Sequence, residues 1–274
     1  MRQSGYVEGQ NVKIEYRWAE VHTGLPALAA ELVSRQVAVI VTSGTPSVLA
    51  AKAATGEIPI VFGTGADPVE LGLVASLNRP GGNVTGVTSL NQEVAPKRLE
   101  LMHELLPSVT SMALLVNPAV PATADPVSRR SQAAAQALGL QLHTVHASSD
   151  RDFDAVFERL TQLRVGALVI GPDTFFTSRS GQLAKLTVRH EMPAIYQFRE
   201  FAAAGGLMSY ASSETEYYRL VGTYAARVLK GDKPADLPVQ QSTKVELFLN
   251  LKTAKALGIT VPLPLSGRAD EVIE

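Results

Sequence analysis

The sequence predicts an α/β chain of two doubly wound, parallel-sheet lobes joined by hinge crossings. Three observations carry that class. Short β-branched runs alternate with amphipathic stretches through most of the chain. Two of the runs, residues 37–41 (VAVIV) and 58–62 (IPIVF), have no polar face, as expected of parallel strands covered on both sides. The alternation also comes in two rounds, each long enough for a domain, with no repeat of 20–50 residues and no low-complexity tract between them.

The elements follow in order. Val12, Ile14, Tyr16 and Trp18 alternate with polar neighbours, which reads as a half-buried or edge strand. Leu25, Leu28, Ala29, Leu32 and Val33 fall on one helical stripe. The strands at 37–41 and 58–62 each end in a turn of small residues closed by a cap and a proline, Thr45 before Pro46 and Asp67 before Pro68. A cap oxygen takes an orphan N–H, and proline at the first helical position has none to lose. Two helix N-termini are therefore expected at one edge of a parallel sheet, the edge where α/β folds hold ligands. The turn Arg79-Pro80-Gly81-Gly82-Asn83 precedes an extended segment, 83–90, expected to leave the first sheet.

From Glu93 the rhythm restarts. Helices are expected over 93–106, 125–138, 153–163 and 177–190, and strands over 111–116, 140–145, 167–171 and 194–196. Leu207 to Tyr210 forms a further extended run, and Tyr217, Leu220, Val221, Tyr224, Ala225 and Val228 a long helical stripe. A strand at 244–250 and a helix at 251–257, closed by Gly258, complete the tail. The expected division is a discontinuous first lobe, 1–88 plus 210–274, and a second lobe, 89–209. Such crossing linkers suit closure on a ligand.

Composition narrows the function. The 274 residues carry a formal net charge of -1, with no basic excess to neutralise phosphates, so no nucleic-acid partner is expected. There is no cysteine, which removes thiol catalysis, Cys-ligated zinc and disulfides. The five histidines never form HExxH, GTGADP lacks the GxGxxG order, and Ser178-Arg179-Ser180-Gly181 does not match GxSxG. No catalytic residue, metal or cofactor is expected. The first residues show no charged segment followed by an apolar one, so no signal peptide is read.

Polar residues collect at the expected carboxyl ends of strands. Ser43, Thr45, Pro46 and Ser47 form one turn and Asp67 follows the next strand; in the second lobe the equivalent places hold Asn117, Asp173, Thr174 and Tyr196. The open N–H groups at 45–47 suit a carboxylate, Asp173 or Asp67 an ammonium, and Tyr196, Phe198 or Tyr210 an apolar side chain. Asp173 ends a buried strand with no cap role visible in the sequence. Tyr217, Tyr218 and Tyr224 lie on the helical stripe and read as core or surface.

These residues also carry a resemblance. GYVEGQNVKIEYRWAE, the SGTP turn, ATGEIPIVF, DPVELGLVASLNRPGGNVTGVT, REFAAAGGLMSYA and NLKTAKALGI resemble the ABC transporter substrate-binding proteins, including tryptophan- and tyrosine-binding members. The resemblance implies a type 1 periplasmic-binding-protein fold, the 43–47 turn on a ligand carboxylate, Asp173 facing the ligand, and Tyr196 and Tyr210 as walls. It implies a monomer outside the cytoplasm, periplasmic or membrane-anchored, that delivers a small amino-acid-like or carboxylate molecule to an inner-membrane ABC permease. Relatives carry a leader and a first strand ahead of the GYVEGQN segment, so the chain is expected to lack that strand. A small-molecule sensor, or an α/β enzyme using Asp173 or Glu200 between the lobes, are the alternatives.

Overall fold

The structure is a computed structural model that describes residues 1–19, 22–89 and 91–274. Along the chain the elements are α1 (Leu25–Ser34), β1 (Ile40–Ser43), α2 (Thr45–Ala54), β2 (Ile60–Thr64), β3 (Val84–Ser89), α3 (Ala95–Leu105), β4 (Ser111–Val116), α4 (Pro121–Ala137), β5 (Gln141–His146), α5 (Asp152–Leu163) and β6 (Ala167–Ile170). They continue with α6 (Thr174–Ser178), α7 (Ser180–Arg189), β7 (Ala194–Tyr196), α8 (Arg199–Ala203), β8 (Met208–Ser212), α9 (Glu214–Leu229), β9 (Gln240–Ser242), β10 (Val245–Asn250), α10 (Leu251–Ala256), α11 (Leu263–Ser266) and β11 (Glu271–Ile273). The chain divides into two units, Met1–Leu90 with Ser213–Lys244, and Asn91–Ser212 with Val245–Glu274.

The first unit is built on a four-stranded parallel sheet, β1-β2-β3-β9. Only β2 is the wholly buried, largely apolar strand expected of one covered on both faces; β1 lies at the edge of the sheet with Val41 47% exposed, so the expectation of two covered faces for the run at 37–41 does not hold. Ile60 and Phe62 pack with Ile40, Val48 and Val84 on one side, while Val61 packs with Val87, Leu220, Val221 and Tyr224 on the other. Successive side chains of a strand alternate faces, so one run serves two cores. Each of these large apolar side chains contributes about 1.5–3 kcal/mol on full burial.

The second unit has a seven-stranded sheet ordered β11-β10-β8-β7-β6-β4-β5. All its pairings are parallel except β8 with β10. The same alternation recurs: Met112, Leu114 and Val116 face one core, Ala113 and Leu115 the other. On α5 the apolar positions Phe153, Val156, Phe157 and Leu160 are all buried, the i, i+3, i+4, i+7 pattern of a helix laid on a sheet.

Four other local expectations are corrected. Residues 13–19 form no strand, and among the described residues the pairing near them is a single bridge between Glu8 and Val12; Tyr16 and Trp18 stack on each other 6.3 Å apart and lie exposed. No helix follows Pro68. Asp67 Oδ1 accepts from the N–H groups of Val69 and Glu70, and Gly72, at φ 64, ends the turn after one revolution. β3 does not leave the first sheet but lies inside it, between β2 and β9. The tail beyond Lys244 belongs to the second unit, because β10 pairs antiparallel with β8 and brings α10, α11 and β11 with it.

Candidate functional site

In the first unit β1 delivers Ser43 to the carboxyl edge of the sheet and the chain turns into α2. Gly44 is the N-cap, at φ 93 and ψ 148, a conformation that a residue with a Cβ adopts only with strain. Thr45 and Pro46 are thus the first two helical residues, and Thr45 is not the cap that the sequence suggests. Its hydroxyl instead shares a 3.0 Å hydrogen bond with that of Thr64 at the end of β2. Ser47 Oγ donates to the carbonyls of Ser43 and Gly44, at 2.7 and 2.8 Å. No side chain caps α2, and its first turn holds no acidic residue. The helix therefore presents N–H groups and positive dipole beside neutral hydroxyls.

Two tyrosines of α9 complete this corner. The Tyr217 side chain reaches so close to β2 that a Cβ on Gly63 would lie 2.1 Å from its hydroxyl. Burial pushes the Tyr217 phenol well above its usual pKa, with the Ser43 hydroxyl working against that shift. Tyr218 packs edge-on against Tyr217, ring centroids 5.1 Å apart, and is 51% exposed with its hydroxyl 3.5 Å from Ser43 Oγ. Their place on a helical stripe gives no hint of this. Glycine inside the apolar run of β2 is the signal, since it marks close approach of another group.

In the second unit Asn117 follows β4 and Asp173 follows β6. Asp173 is 8% exposed and is the N-cap of α6: its Oδ1 accepts from the Phe175 N–H at 2.8 Å and from Asn117 Nδ2 at 3.1 Å. The cap role escaped the sequence because α6 is only five residues long. Asn117 Oδ1 meanwhile accepts from the Ala119 N–H, closing a turn over Pro118. Asn117, Thr123, Gly171 and Asp173 line a shallow crevice with no room for a water molecule.

Tyr196 anchors this corner from below. Its hydroxyl donates to the Asp173 carbonyl at 3.1 Å, lies 3.0 Å from Thr177 Oγ1, and accepts from Gln197 Nε2 at 3.1 Å. The side chain is fully buried, with its ring edge-on to Phe201, so it is a core residue and not the ligand wall expected from the sequence. Desolvation holds its phenol well above the usual pKa. Asn117, Asp173 and Tyr196 thus form one network, with Thr174 exposed at the start of α6. Tyr210, half-buried on β8, joins it through neither ring nor hydroxyl; its carbonyl accepts from Arg98. In the first unit Asp67 is occupied by its own turn. Among the described residues no group of three His, Cys, Asp or Glu could hold a metal ion, and no helix is long and apolar enough to cross a membrane.

Residues 1–273 match the family model described as ABC transporter substrate binding protein. A tyrosine-binding protein of Clostridioides difficile is 29% identical over 276 residues, spanning 94% of this chain and 74% of the relative. A crystal structure from Streptococcus pneumonia, described as an ABC domain in complex with L-Trp, superposes with a TM-score of 0.87 at 27% identity over 96% of this chain and 90% of that one. A conserved domain protein from Vibrio cholerae gives 0.90 at 27% identity over 99% and 90%. These relatives are binding proteins or share their fold, and none is described as an enzyme.

Proposed function

Because this chain belongs to the ABC transporter substrate binding protein family, we propose that it is the extracytoplasmic solute-binding component of an ABC importer, closing on a small amino-acid-like ligand. Its partner is an inner-membrane permease, and it works as a monomer. The observation that carries the reading is the uncapped start of α2 among Ser43, Thr45 and Ser47. Neutral donors and a helix dipole favour an anion by about 0.3–1 kcal/mol when exposed and up to about 2 when partly buried. An aliphatic or aromatic carboxylate is the matching chemistry. The exposed face of Tyr218 beside that turn suits an aromatic ring.

In the second unit Asp173 supplies a carboxylate to its network, which suits the ammonium of an amino acid. Asn117 orients it, Tyr196 fixes the backbone beneath it, and Tyr210 offers a half-buried ring. Pro46 pre-sets the first turn of α2, and Thr174 stands exposed at the start of α6. Asp67 shapes its loop. The tyrosine- and L-Trp-binding relatives support an aromatic amino acid as the ligand.

Thermal unfolding in the presence of the twenty amino acids and simple aromatic carboxylates tests this reading. L-tryptophan or L-tyrosine should raise the midpoint selectively, since a ligand at 100 times its Kd stabilises by about 2.7 kcal/mol. A uniform absence of any shift at millimolar ligand would overturn it.

A further inference from the structure

Arg98, in the first turn of α3, is the largest fully buried side chain of the molecule among the described residues. Among the described residues no carboxylate pairs with it. Its Nε donates to the Tyr210 carbonyl at 2.7 Å, its Nη1 to the Asn91 carbonyl at 3.3 Å, and its Nη2 has no partner. Burial pulls its pKa down to about 10, against the pull of Tyr196 and Tyr210. A buried charge without a counter-ion lowers stability, and an apolar residue of similar volume often serves the fold better. Stability therefore does not explain this arginine.

Its contacts do. Asn91 and Ser212 are the first and last residues of the second unit's main segment, and Val245 opens its returning segment. The Ser212 N–H donates to Asn91 Oδ1 at 3.2 Å, and Ser212 stands opposite Val245 in the β8–β10 ladder. Arg98 adds a fork that holds the Asn91 carbonyl with one nitrogen and the Tyr210 carbonyl with another. The three points where the chain enters or leaves this unit are thereby tied into one cluster around a planar, five-donor group.

We infer that Arg98 is a positioning residue for ligand binding: its guanidinium fixes the entry and exit strands of the second unit and, through the main chain, the place of Tyr210. The inference rests on the reading of Tyr210 as a ligand-facing residue. Lysine lacks the planar fork that reaches the two carbonyls from separate nitrogens, so charge alone is not expected to restore the function.

The test compares the full chain with R98M and R98K by thermal unfolding, by amide hydrogen exchange, and by titration with L-tryptophan. R98M should unfold at or above the wild-type midpoint. In both variants exchange at residues 91–92 and 208–212 should quicken at least tenfold with β4 unchanged, and the Kd for L-tryptophan should rise at least tenfold. Wild-type exchange in those segments overturns the inference, as does a lowered midpoint with an unchanged Kd. If R98M fails to fold, R98K carries the comparison. If the wild-type chain binds no L-tryptophan, the proposed function falls on that result, and exchange alone decides whether Arg98 holds the strands.

Discussion

Gly86→Ala should destabilise the first unit by about 3 kcal/mol, the upper end of what an overpacked core normally costs. Gly86 lies in β3, buried along its whole length, in register with Phe62 of β2. A Cβ there would meet the Phe62 carbonyl oxygen at 2.0 Å and its nitrogen at 2.7 Å. Both belong to the backbone of a central strand, so neither can rotate away, and relief requires β2 and β3 to separate. The situation at Gly63 differs, since the group facing it is the end of the Tyr217 side chain. Urea denaturation followed by far-UV circular dichroism measures the loss. A decrease below about 1 kcal/mol, within the range of ordinary surface changes, would mean that the β2–β3 contact is looser than described.

Asp173→Asn should weaken L-tryptophan binding by about 10- to 150-fold while leaving the fold intact. Asparagine retains the oxygen that caps α6 and is as good a cap as aspartate, so the Phe175 contact persists. The charge is lost, and the second carboxylate oxygen becomes an amide donor. A hydrogen bond to a charged partner contributes about 1.5–3 kcal/mol, and each 1.4 kcal/mol is a tenfold change in Kd. Indole-3-propionate, which lacks the ammonium, should bind wild type and variant alike. Calorimetric titration of both ligands against both proteins separates the outcomes. Equal losses for the two ligands would show that Asp173 acts through structure, and no loss for either would remove it from the site.

Much of the fold is legible in sequence because buried parallel strands are short, apolar and evenly spaced. β4 and β7 lie where their short apolar runs place them, and α5 follows its apolar stripe. What sequence hides is pairing. The run at 12–18 alternates as a strand does but has no ladder to join, and β10 finds its partner some 35 residues upstream in β8, a choice no local pattern encodes. The Asp67-Pro68 start signal is real at its own scale, but Gly72 stops the turn before a helix can propagate.

The candidate site divides the same way. The 43–47 turn is visible because cap, proline and small residues have fixed local meanings, even though Gly44 rather than Thr45 takes the cap. Tyr217 and Tyr218 reach that turn from more than 170 positions away. Arg98 reads as one more charge on an amphipathic helix until its burial and its two carbonyl partners are seen. Such long-range placements follow from the topology and carry no periodicity of their own.

The central claim is that this chain binds an amino-acid-like ligand through its carboxylate. Isothermal titration of the wild-type chain with L-tryptophan and with tryptamine, which differ only in that group, tests it most directly. Saturable binding of L-tryptophan with at least tenfold weaker binding of tryptamine is the predicted result; equal affinity for the two, or heat from neither, would contradict it.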